Sequence, residues 1–80
     1  MTFNVNKPKN VAMTLARTAQ MIRNSGGYFS GDETSGNFSG NGVEGRYEVR
    51  DRIKIYITKK PFFYPASVVE SHIRDYFRSA

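Results

Sequence analysis

Between Phe38 and Ile57 the apolar side chains fall on alternate positions: Val43, Tyr47 and Val49, then Ile53, Ile55 and Ile57. Glu44, Arg46, Glu48 and Arg50, then Arg52, Lys54, Tyr56 and Thr58, fill the gaps. Successive side chains of a strand point to opposite faces, so this pattern predicts an antiparallel sheet with one apolar and one charged face. The apolar face needs a covering layer, and two segments can supply it. From Lys9 to Asn24 there is no glycine or proline, and Val11, Leu15, Ala19 and Ile22 recur at helical spacing. After Pro65, Val69, Ile73, Tyr76 and Phe77 form a second helical stripe.

Punctuation divides the remainder. Thr2 to Asn6 alternates Phe3 and Val5 with polar residues and reads as a first strand. Asn6 is the expected cap of the first helix, with Pro8 in its first turn, and Ser25-Gly26-Gly27 ends it. Tyr28-Phe29-Ser30 reads as a second strand and Gly31 to Gly36 as a turn. Phe38 and Val43 are five apart and would face opposite sides of one strand, so Gly40-Asn41-Gly42 is expected to hold a glycine bulge or break within a third. Arg50-Asp51-Arg52 turns into a fourth, and Ser67 with Glu70 has the spacing of a capping box for the last helix. The predicted fold is α+β: a two-layer sandwich, β-α-β-β-β-α, with a four-stranded mainly antiparallel sheet and both helices on one face. Residues 1–80 make a single domain.

Eighty residues allow one small core, burying about 60% of the unfolded chain's surface. Without cysteine, and with His72 as the single histidine, neither a disulfide framework nor a multi-histidine metal site is available. The amino-terminal residues lack a signal-peptide pattern, and no window approaches the roughly 20 apolar residues of a membrane span. A soluble, cytoplasmic protein is expected.

The inventory argues against catalysis. His72 lies one position off the Ile73 stripe, the serines have no neighbouring base, and the carboxylates alternate with arginines as cross-strand ion pairs would. Gly36, Gly40, Gly42 and Gly45 are not followed by the lysine and helix of a phosphate loop. No enzyme, cofactor, metal or small-molecule substrate is expected. Two kinds of binding remain. Phe62, Phe63 and Tyr64, set between Pro61 and Pro65, cannot all enter one small core; one of the two phenylalanines is expected to close the end of the sandwich while Tyr64 lies at the rim, and the trio is a candidate contact for a protein partner or homodimer. Twelve basic against seven acidic residues give a net charge of +5, and Arg46, Arg50, Arg52, Lys54, Tyr56 and Lys60 form the alternative, a nucleic-acid surface on the open sheet face.

Gly42-Val43-Glu44-Gly45-Arg46-Tyr47-Glu48-Val49, then Ile53-Lys54-Ile55-Tyr56-Ile57, then Val69-Glu70-Ser71-His72-Ile73 leading to Phe77, resemble a family of small bacterial proteins, the polyhydroxyalkanoic acid system (granule-associated) proteins. The likeness lies in a Gly-x-x-Gly strand, the strand after it and a closing helix. It implies a role at polyester storage granules and no catalytic residue.

Overall fold

The computed structural model describes residues 1–77. Its elements are β1 (Thr2–Asn6), α1 (Val11–Asn24), β2 (Tyr28–Gly31), β3 (Ser35–Gly40), β4 (Val43–Val49), β5 (Arg52–Lys59) and α2 (Ala66–Phe77). The α+β class stands, but the sheet has five strands, in the order β1-β5-β4-β3-β2, and every pairing is antiparallel.

The fifth strand comes from Asn41-Gly42. Both residues have positive φ, 52° and 83°, and they join β3 to β4 as a two-residue hairpin with Gly40 paired to Val43. Positive φ at both central positions is what a type I′ hairpin turn requires and what Asn-Gly tolerates. The chain therefore reverses where a bulge or break within one strand was expected, and Phe38 regains the apolar face by pairing with Gly45 across the turn. The irregularity lies elsewhere. Glu44 pairs with Lys59 and Gly45 with Ile57, leaving Thr58 as an extra residue in β5.

Helix α1 starts later than the sequence suggested. Asn10, not Asn6, is its cap, accepting from the Met13 amide at 2.9 Å. Its other end is a Schellman closure: Gly27 N–H donates to Ile22 O at 2.9 Å and Gly26 N–H to Arg23 O at 3.0 Å, with Gly26 at φ 85°. In α2 the expected capping box does not form, because the helix begins at Ala66 and Ser67 is already inside it. Glu70 instead pairs with Arg74 at 2.9 Å.

β1 and β2 occupy opposite edges of the sheet, and α1 crosses the apolar face between them. α2 packs beside α1 and over β1, so both helices cover that face. The core between the layers centres on Tyr47, Ile53, Ile55 and Phe77, all essentially inaccessible to solvent. Phe77 sits 5.9 Å from Phe38 and 5.8 Å from Tyr47, and Phe29 stacks on Tyr47 at 5.5 Å between ring centroids. Thr18 is buried with its hydroxyl 2.7 Å from the Tyr76 carbonyl and 2.8 Å from that of Thr14. Sharing its proton between them, it ties the Tyr76 carbonyl of α2 to the middle of α1.

Candidate functional site

Among the described residues, the connection from β5 to α2 carries the most exposed aromatic ring, that of Phe62. Pro61 and Pro65 fix the backbone at its two ends. The Tyr64 amide donates to Pro61 O at 3.1 Å, Lys60 Nζ donates to Tyr64 O at 2.8 Å, and the Pro65 carbonyl accepts from the amides of Val68 and Val69. Pro61 also abuts the β3–β4 hairpin, where a Cβ on Gly42 would lie 3.0 Å from Pro61 Cγ. Held this way, the loop turns its rings outward: Phe62 is 94% exposed and Phe63 67%. Neither closes the end of the sandwich, contrary to the sequence expectation; Tyr64, 38% exposed, does take the rim. The three rings brace one another edge to face, at 5.5 Å between Phe62 and Phe63 and 5.1 Å between Phe63 and Tyr64. Burying a phenylalanine side chain is worth about 1.5–3 kcal/mol, and the folded monomer does not collect it from either residue.

Beside this tip runs a groove of about 360 Å³. Its walls are Val43 of β4, Tyr64 of the loop and Val68, Val69, Ile73 and Tyr76 of α2, with the exposed His72 at its rim. A smaller cavity of about 50 Å³ shares Val43, Ile73 and Tyr76 with it and reaches Ile22 and Phe38 of the core. In the sequence Val69, Ile73 and Tyr76 belong to the helical core stripe, and neither Val43 nor Val68 stands out as a site residue. Val68 adjoins Val69 off that stripe, a modest signal of an apolar surface position. The groove itself joins two segments distant in sequence, residues 40–43 and residues 64–76.

The opposite face of the sheet is open. Cross-strand pairing places Arg46 opposite Tyr56, with the guanidinium 4.0 Å from the ring centroid, and Lys54 Nζ approaches the same ring at 5.3 Å. Glu48 lies among them, 3.9 Å from Arg46 and 3.5 Å from Arg50. A hydrogen bond from the Tyr56 hydroxyl, helped by the charges of Arg50 and Arg46, holds the Glu48 carboxyl below the usual carboxylate range. Of the six residues in the nucleic-acid set, Arg46, Lys54 and Tyr56 come together. Arg50 lies in the β4–β5 turn and Arg52 opposite Asn6 at one end of β5, while Lys60 stands past the other end, tied to Tyr64. β5 alone spans roughly 25 Å at the usual rise per strand residue, so the six do not form one compact patch.

Among the described residues no group of three or more His, Cys, Asp or Glu side chains could hold a metal ion, and no helix is long and apolar enough to cross a membrane. No family model, curated protein or solved structure matches the chain. The segments that carry the resemblance to the granule-associated family are the β3–β4 turn with β4, then β5, then α2. Gly42 serves the turn, whereas Gly45 lies under the Phe38 ring, where a Cβ would come within 2.7 Å of Phe38 Cζ.

Proposed function

We propose that this chain is a small non-enzymatic domain that works by protein contact, including self-association, through Phe62, Phe63 and Tyr64. The observation that carries this reading is the outward placement of Phe62 and Phe63 by a loop clamped at both ends, beside an apolar groove. A rigid ring gains contact area with little loss of side-chain freedom, which makes aromatics favoured contact anchors. A polyester-granule surface, as the resemblance implies, is a further kind of partner with no geometric feature of its own here.

The second reading, nucleic-acid binding by the open face, draws on the juxtaposition of Arg46, Lys54 and Tyr56. It ranks lower. A base needs a free ring face to stack on, and Arg46 already covers Tyr56, while Glu48 sets a negative charge among the cations that phosphates would seek.

A photo-crosslinking side chain at position 62, with Glu33 at the opposite end of β3 as the control position, tests the contact in cells producing the full chain. Protein adducts at position 62 in excess of position 33 are expected. Equal or absent adducts at both positions would remove the contact reading.

A further inference from the structure

The groove beside the tip has the dimensions and chemistry to receive an aromatic ring, and the tip beside the groove has one to offer. We infer that the occupant is a second copy of this chain, in a two-fold dimer in which Phe62 of each copy enters the other's groove. This rests on the contact reading above and names its partner.

Three observations converge on that arrangement. The first is adjacency. Phe63 packs edge to face against Tyr64 at 5.1 Å, and Tyr64 is itself a wall of the groove, so projection and recess belong to one continuous patch. A patch that carries both is self-complementary, and a two-fold axis through it satisfies both recesses at once. An open head-to-tail chain would need projection and recess on opposite sides of the molecule.

The second is area. Each aromatic side chain buries roughly 150–250 Å². With Phe62 almost wholly exposed and Phe63 two-thirds exposed, the rings of two copies contribute on the order of 600 Å². The groove walls they cover add a smaller share, which places the contact among the small interfaces, under roughly 1,200 Å², that weak and transient partners use.

The third is charge. Each copy is cationic, which opposes association, but the two lysines nearest the tip are engaged within their own copy. Lys59 pairs with Glu44 at 3.7 Å, and Lys60 donates to the Tyr64 carbonyl. The contact is therefore apolar at its centre, and the remaining repulsion is long-range and screened by salt.

Sedimentation velocity of the full chain across micromolar to several hundred micromolar concentration tests this directly. Wild type is expected to shift from monomer to dimer, more readily at high salt than at low. Phe62→Ser removes the projection and Val68→Arg fills the recess; both positions are exposed, so folding is retained and is checked by circular dichroism. Each variant is expected to weaken dimerisation about 30-fold or more, the size of an interface hot spot. Mixed together, the two variants restore one intact ring-in-groove pair and are expected to form dimer where neither does alone.

A wild-type chain that stays monomeric throughout overturns the inference, as does a dimer that ignores both variants or a mixture that shows no recovery. Monomer that cosediments with phosphatidylglycerol vesicles through Phe62 would assign the tip to a lipid surface and also overturns it. Crosslinks from position 62 to a different protein would leave the contact reading standing after the second copy had been excluded.

Discussion

The hydroxyl of Tyr47 donates to the carbonyl of Asp32 at 2.8 Å, joining the centre of the sheet to the turn between β2 and β3. Two glycines make the approach possible. A Cβ on Gly31 would lie 2.5 Å from the Tyr47 oxygen, and one on Gly36, the cross-strand partner of Tyr47, 2.5 Å from its ring. The Asp32 side chain completes the turn by accepting from Thr34 N, Thr34 Oγ1 and Ser35 N, which holds its carboxyl below the usual range.

Tyr47→Phe keeps the ring and loses the bond, so it is expected to cost about 1–2 kcal/mol in urea unfolding near neutral pH. Burial, reinforced by the Asp32 charge, pushes the Tyr47 hydroxyl up to about 12 from an ordinary 10. A raised pKa of this kind contributes stability that is complete below pH 10 and lost as pH climbs through about 12. Wild type is therefore expected to lose stability steeply across that window, and Tyr47→Phe to flatten the loss. Identical alkaline slopes in the two proteins would contradict this.

Thr18→Val is nearly isosteric and removes the hydroxyl that ties α1 to the end of α2. Leaving the Tyr76 carbonyl without that partner is expected to cost about 1–3 kcal/mol. Amide hydrogen exchange should also speed up in the last turn of α2 more than in β4 or β5. Thr18→Ser, which keeps the donor, is expected to recover most of the protection.

Phe38 lies over Gly45, its partner in the β3–β4 ladder, and a Cβ at Gly45 would also meet Tyr56 O at 2.7 Å. Gly40 is different, since the nearest atom to its Cβ would be 3.5 Å away. Gly45→Ala is expected to cost about 1–3 kcal/mol through overpacking, and Gly40→Ala to stay within about 0.5 kcal/mol of wild type. Equal costs in thermal unfolding would refute the packing described around Phe38.

Glu48 links Arg46, Arg50 and Tyr56 on the open face. Its lowered pKa contributes stability that is present above the usual carboxylate range and disappears as pH falls through the folded-state value. Glu48→Gln is expected to make the acid side of the stability profile shallower. In a fluorescence titration with labelled single-stranded RNA, wild type is expected to bind only at low salt. Binding that persists at physiological salt and is lost in Arg46→Ala with Lys54→Ala would raise the nucleic-acid reading to first place.

Much of this molecule is legible in its residues. Tyr47, Val49, Ile53, Ile55 and Ile57 declare one covered face because a strand has a period of two and its other face is wet. Leu15, Ala19 and Ile22 declare a helix for the corresponding reason. Gly40-Asn41-Gly42 reads as a bulge or break within one strand because Phe38 and Val43 are out of phase on a single strand. A hairpin removes that phase requirement, since its two strands are aligned by pairing across the turn. Thr14 and Thr18 were missed as buried residues because hydroxyls signal a surface, whereas these two lie between the layers. The aromatic tip was visible as three rings between prolines. Its outward orientation was not, because it follows from the contacts of Lys60 and Pro61 with groups that only the folded chain brings near.

The chain contains no tryptophan, so Phe62→Trp installs a single tryptophan at the tip, excited selectively beyond the tyrosine absorption band. The most direct measurement is its emission wavelength and iodide quenching as concentration rises from micromolar to several hundred micromolar at high salt. Entry of the ring into a partner's groove is expected to shift emission to the blue and shield it from iodide, in step with the appearance of dimer. Emission that remains red and fully quenched while dimer forms, or a chain that never associates, would contradict the account.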